Sequence, residues 1–192
     1  MTPSAKPKGA IVRQDLTIDS KRADGGFARK LVDFAVDNNP KGNLRLKGTY
    51  GHLLECMGNT YQHAGGAPGE TTWWASAFRD AARRCDCFTF IDMGMGIFNS
   101  VELSARLKLY NLTSLLRPNI LRELLEGKIP SSTGKKYRGR GLPSIYKSAL
   151  SDKLRRLVIL TNNVYADTKA NDFRTLGNDF EGVVLYWEVS HE

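Results

Sequence analysis

The sequence is poor in cysteine and histidine, with three of each among 192 residues. Cys56, Cys85 and Cys87 are too few, and too unevenly placed, for a disulfide framework. The spacing of Cys85 and Cys87 puts both on one face of a strand, which is not a zinc-binding spacing. All three therefore read as small apolar fillers, and a reducing cytoplasm is the expected compartment. No apolar run approaches the roughly 20 residues needed to cross a bilayer. The opening MTPSAKPKGA lacks the apolar stretch of a secretory signal. There is no internal repeat, no zinc-finger or helix-turn-helix pattern, and no strand with interleaved aromatic and basic residues of the kind that reads RNA. What remains is a chain of ordinary hydrophobicity, 41% apolar and 25% charged, long enough for one good core. Its excess charge is positive, +8 with a pI of about 9.5, which favours polyanions and acidic partners. The basic residues gather at Arg83-Arg84, at Lys135-Lys136-Tyr137-Arg138-Gly139-Arg140 and at Arg155-Arg156. On charge alone nucleic acid stays open as a partner, but no motif supports it.

Residues 1–25 are polar, with scattered charge, and read as a tail; residues 26–192 read as one domain. Apolar spacing predicts helices over 27–38, 49–64, 115–126 and 143–150. Runs of aromatic and branched residues predict a hairpin over 72–79 and 85–92, a strand over 154–164 and a last strand over 183–189. Residues 97–140 change character and form a long connection of the functional or disordered kind. Interleaved helices and strands imply an α/β (α+β) two-layer sandwich with a mixed, mostly antiparallel sheet.

Four segments carry the chemistry. Glu55 and Asn59 lie four residues apart, so both project from one helical face. An amide oxygen suits a hard cation such as magnesium, which keeps several waters and needs few protein ligands. Glu55 beside it could orient or deprotonate a nucleophile, although a solvated pair is the plainer alternative. Second, Asp92-Met93-Gly94-Met95-Gly96 leaves the apolar strand CFTFI. A carboxylate there can accept a hydrogen bond from the exocyclic amine of adenine, while Gly94 and Gly96 let backbone approach the base. Third, Gly139-Arg140-Gly141-Leu142 opens a helix whose N–H groups form an anion site, with Arg138, Arg140, Lys135 and Lys136 adding charge. Fourth, Gly182 at the start of the last strand permits close packing against the base.

In this order, E-x-x-x-N on a helix, DxGxG after a strand, GxGL before a helix and a glycine-led last strand resemble the GHKL superfamily, the group of gyrase B, heat-shock chaperones, histidine kinases and MutL. The resemblance covers residues 49–189. It implies a Bergerat fold, with helices on one face of the sheet and a lid over ATP, here about residues 97–140. It implies that Asn59 holds magnesium, that Asp92 holds adenine, and that Gly94, Gly96, Arg138, Gly139, Arg140, Gly141, Leu142 and Gly182 line the nucleotide. The wording LLECMGNTYQHA, FTFIDMGMGI and GRGLPSI is most similar to bacterial stand-alone ATP-binding proteins of the anti-sigma-factor-kinase and histidine-kinase-like type. Two departures stand out. The family's last box has Gly-Thr, whereas Val183 follows Gly182 here, so that polar contact is absent or comes from another group. None of His52, His63 and His191 is placed like a phosphoacceptor.

Three functions follow as expectations. Glu55 points to slow ATP hydrolysis, or to γ-phosphate transfer to a partner protein. A non-hydrolysing module would instead use ATP to order the lid and change a partner surface, with no useful turnover. Polyanion binding rests on charge alone. A protein partner is expected in the first two, and a homodimer is open.

Overall fold

The computed structural model describes residues 11–16, 24–38, 43–63, 72–99, 108, 116–129 and 141–191. Nine elements run β1 (Ile11–Leu16), α1 (Gly25–Asn38), α2 (Asn43–His63), β2 (Thr72–Asp80), β3 (Cys85–Asp92), α3 (Arg117–Leu125), α4 (Gly141–Leu150), β4 (Arg156–Asp167) and β5 (Asp172–Ser190). The strands form one sheet in the order β1-β2-β3-β5-β4. Every described pair is antiparallel, so the expected mixture of directions is not seen. The fold is α+β. None of the described helices is long and apolar enough to cross a membrane.

Local chemistry explains the helix ends. α1 opens on two glycines, which by themselves disfavour a helix. Asp24 compensates as N-cap: its Oδ1 accepts the Phe27 N–H at 2.7 Å. α3 carries Pro118 in its first turn, where a missing N–H costs nothing, and its C-cap Glu126 is followed by Gly127 with φ +72°. Its residues Pro118, Ile120, Leu121, Leu124 and Leu125 are buried, so this part of the expected lid belongs to the core.

Strand register sorts the sheet into two faces. Trp73, Ala75 and Ala77 of β2 pair across with Asp92, Phe90 and Phe88 of β3. These pair in turn with Val183, Leu185 and Trp187 of β5, and those with Thr161, Ile159 and Leu157 of β4. The apolar members join residues from all four helices in a single core. Trp73 packs between Phe27 and Phe90 at 6.1 and 5.6 Å, and Phe88 stacks on Trp187 at 5.6 Å.

Cys85 and Cys87 face the other way. Both are buried, free and 3.7 Å apart at sulfur, but their company is polar rather than purely apolar. The buried Glu188 carboxylate accepts from Arg83 at 2.6 Å and from the Tyr186 hydroxyl at 2.7 Å, and that hydroxyl lies 3.3 Å from Cys87 Sγ. Burial pushes both thiols above their ordinary range, leaving them poor nucleophiles. Cys56 alone sits in the apolar core. The same cluster uses part of the basic excess. Arg83 and Arg155 both pair with Glu188, and Arg156 pairs with Asp167 at 2.7 Å. Of the basic clusters in the sequence, two are thus largely engaged in ion pairs, and the third, 135–140, lies outside the described residues.

Candidate functional site

α2 carries two adjacent pairs of polar or thiol side chains, Glu55-Cys56 and Asn59-Thr60, on its last turns. Cys56 and Thr60 are buried and point inward; Glu55 and Asn59 are exposed at the rim. The inward pair meets the end of β3. Asp92 is 8% exposed, and its carboxylate accepts the Gly94 N–H at 2.9 Å. Burial raises its pKa from an ordinary 3.8 to about 6, opposed by hydrogen bonds from the Gly94 N–H, the Val183 N–H and the Thr60 hydroxyl. Burial, with the charges of Asp92 and Glu55 adding to it, pushes the Cys56 thiol up. The Thr60 hydroxyl oxygen also lies 3.1 Å from the Cys56 carbonyl oxygen.

The rim pair meets the start of α4. A Cβ placed on Gly141 would lie 3.1 Å from Asn59 Nδ2 and 3.2 Å from Glu55 Oε2. Gly141, the first residue of a ten-residue helix, thus lies directly against the side chains of Glu55 and Asn59. Leu142 follows, half-buried and packed on the core. Arg138, Gly139 and Arg140, with Lys135 and Lys136, lie outside the described residues, as does the His63 side chain.

The turn after Asp92 is held from β4. Up to Thr161, odd-numbered residues of β4 face the core; after a bulge at Asn162, with φ +48°, Val164 and Ala166 do. The inserted residue inverts the alternation. It also aims two adjacent polar side chains at the turn. Thr161 Oγ1 accepts the Ile97 N–H at 2.9 Å and lies 3.1 Å from the Gly182 carbonyl. Asn162 Oδ1 accepts the Phe98 N–H at 3.1 Å, and its Nδ2 donates to the Met95 carbonyl at 3.0 Å.

These contacts give two of the glycines a packing requirement. Gly96 has φ +75°, and a Cβ there would fall 2.3 Å from Asn162 Oδ1. Gly182 has φ +130°, and a Cβ there would fall 2.0 Å from the Asp92 carbonyl oxygen. At both positions protein atoms already occupy the space that a Cβ would take. The Gly94 N–H orients the Asp92 carboxylate. Sequence reasoning missed Thr60, Thr161 and Asn162. The polar run Thr161-Asn162-Asn163 inside LVILTNNVYAD was the available signal for a bulge.

Replacing Asn162 with Ala should leave the Met95 carbonyl and the Phe98 N–H without partners, at a cost of about 2–3 kcal/mol. For a chain of this size each kcal/mol lowers Tm by roughly 2–4 °C, which a thermal melt will read. An unchanged Tm would mean that the turn does not depend on Asn162.

His52 is buried on α2 with Nε2 3.2 Å from Ser148 Oγ on α4. His191 Nε2 lies 3.0 Å from the buried Asp86 carboxylate, away from Asp92 at the opposite end of β3. Among the described residues no group of three or more His, Cys, Asp or Glu is arranged to hold a metal ion.

A scan against protein-family models finds no match for this chain, and a search of curated proteins finds no similar sequence.

Proposed function

We propose that this domain binds ATP together with magnesium in the Bergerat manner and either hydrolyses it slowly or passes its γ-phosphate to a partner protein. The observation that supports this most is the convergence on the last two turns of α2. The buried carboxylate Asp92 lies on the inner side of those turns, and the start of α4 lies on the outer side, against Glu55 and Asn59. A nucleotide has the same polarity: a flat base with a hydrogen-bond donor at one end and anionic phosphates at the other.

The chemistry of each end suits its share. Asp92 is an acceptor held in a dry setting, where a hydrogen bond to the adenine amine counts for more than it would in water. The α4 N-terminus directs unsatisfied N–H groups and the positive end of the helix dipole toward phosphate. Asn59 would give magnesium one amide oxygen, with the remaining positions left to phosphates and water, so no larger ligand cluster is needed. Glu55, exposed at the same rim, is placed to accept a proton from a water or from a partner's hydroxyl.

Titration of ATP into the wild type and Asn59→Ala, with and without magnesium, tests the site. The wild type should bind, more tightly with magnesium, and Asn59→Ala should lose that magnesium dependence. Absence of ATP binding by the wild type would overturn the assignment. Glu55→Ala should keep ATP affinity within a few fold and lose turnover by about 100-fold or more, the usual size of a general-base contribution. Turnover at the wild-type rate would remove Glu55 from the reaction. If the wild type has no turnover even with excess magnesium, the domain is a nucleotide-switched binding module.

A further inference from the structure

We infer that His52 is a positioning residue: through Ser148 it sets α4 on α2, so that the phosphate-binding start of α4 stays against Glu55 and Asn59. The inference rests on the proposed nucleotide site and adds to it a part that sequence motifs do not mark.

Two points fix α4 against α2. One is Gly141, against the Glu55 and Asn59 side chains. The other is the contact between His52 Nε2 and Ser148 Oγ at 3.2 Å, two turns further along α4. Ser148 Oγ donates to the Ser144 carbonyl one turn back, at 3.2 Å. A hydroxyl has a single proton, so toward His52 it presents a lone pair, and Nε2 must carry the hydrogen. The direction of donation is thereby set: His52 to Ser148, and Ser148 to Ser144, running along α4 toward Gly141. The imidazole has no need of charge. Burial and the nearby charge of Lys153 lower its pKa to about 4, so at neutral pH it is a neutral donor of fixed tautomer. His52 also lies one turn before Glu55 and Cys56 on the same helix, so the donor and the rim residues move as one body. Losing the bond frees α4 to slide or tilt about Gly141, and a small displacement of helix N–H groups weakens a phosphate contact steeply.

The test compares two ligands on the full chain. ATP depends on both ends of the site, whereas adenosine depends only on the Asp92 end. His52→Ala and Ser148→Ala should each weaken ATP binding about five- to tenfold, the size of one hydrogen bond, with adenosine changed less than twofold. The double variant should be no worse than either single one. His52→Gln, which keeps an N–H at a similar reach, should recover most of the loss. Equal losses for ATP and adenosine, no loss at all, or His52→Gln no better than His52→Ala would each overturn the inference. Ser148→Ala is the milder change and keeps the test alive if His52→Ala folds poorly. Amide exchange across residues 141–150 without any ligand gives a separate measure. The first turn of α4 should exchange faster in Ser148→Ala and His52→Ala but not in His52→Gln. Unchanged exchange would overturn the positioning role. If the wild type binds neither ligand, the nucleotide assignment fails on its own, and the exchange result alone decides whether His52 positions α4.

Discussion

Asp92→Asn should make the protein more stable at neutral pH while greatly weakening its affinity for adenine nucleotides. The stability half follows from linkage. Asp92 has a pKa of about 6 in the fold against an ordinary 3.8. Its folded-state pKa is raised, so the native state binds the proton more tightly than the unfolded chain does. Stability from this group is therefore greatest below 3.8, falls as pH rises from 3.8 to about 6, and stays low above that. The gap corresponds to a penalty of at most about 3 kcal/mol at neutral pH. An amide keeps an acceptor for the Gly94 and Val183 N–H groups and carries no charge, so it avoids that penalty. Thermal melts at pH 7.5 should show Asp92→Asn several degrees above the wild type, with the difference shrinking toward pH 4. The binding half follows from donor and acceptor. With its oxygen turned to the Gly94 N–H, the amide presents an NH2 where adenine also presents one, and adenosine affinity should fall about 100-fold, the scale of a charge-assisted hydrogen bond. Wild-type adenosine binding should likewise weaken as pH falls through about 6, because the protonated carboxyl is no longer a free acceptor. A variant that is less stable at pH 7.5 and still binds would show that Asp92 is a structural residue.

That combination is typical of a group kept for function rather than for folding, since a buried charge without a charged partner is otherwise selected against. It also separates two kinds of information in the sequence. Asp92 was legible because a carboxylate directly after an apolar strand has few structural uses. Glu55 and Asn59 were legible through helical spacing, and the structure does bring both to Gly141. Thr60 was not, because its part depends on which strand end α2 crosses, and no local pattern encodes that.

The elements show the same division. The cores of β2 and β3 were readable within a residue or so, because both lie in the sheet interior and are rich in aromatic side chains. α2 begins at Asn43 rather than near Thr49; Gly48, Gly51 and Gly58 dilute its helical signal. β5 begins at Asp172, eleven residues before the expected start. Its first part is largely exposed and pairs only with β4 beyond the bulge, so it shows no apolar alternation. β1 falls in the stretch read as a tail, and pairing with β2 along Ile11–Leu16 is what defines it.

Gly182→Ala should cost about 4 kcal/mol or more, the largest loss expected from any single change described above. With φ +130° the residue occupies backbone space that L side chains rarely enter. The added methyl would sit 2.0 Å from the Asp92 carbonyl oxygen and 3.0 Å from its carbonyl carbon. These are main-chain atoms of the neighbouring strand, so no rotamer change relieves the clash. Relief requires β3 and β5 to part where Asp92 pairs with Val183, and the Thr161 contact to the Gly182 carbonyl would be disturbed with them. Denaturant unfolding should therefore show a large drop in midpoint, or the variant should fail to accumulate in folded form. Gly177→Ala is the matched control: it lies on the same strand, no heavy atom approaches its would-be Cβ within 4 Å, and its cost should stay within about 0.5 kcal/mol. If Gly182→Ala matched the control, β3 and β5 would not meet as described and the Val183 N–H would not reach Asp92. If the loss is as large as expected, this glycine is required by strand packing around Asp92, and the same sequence signature that suggests nucleotide binding is then first a condition for folding the strand end that carries the carboxylate.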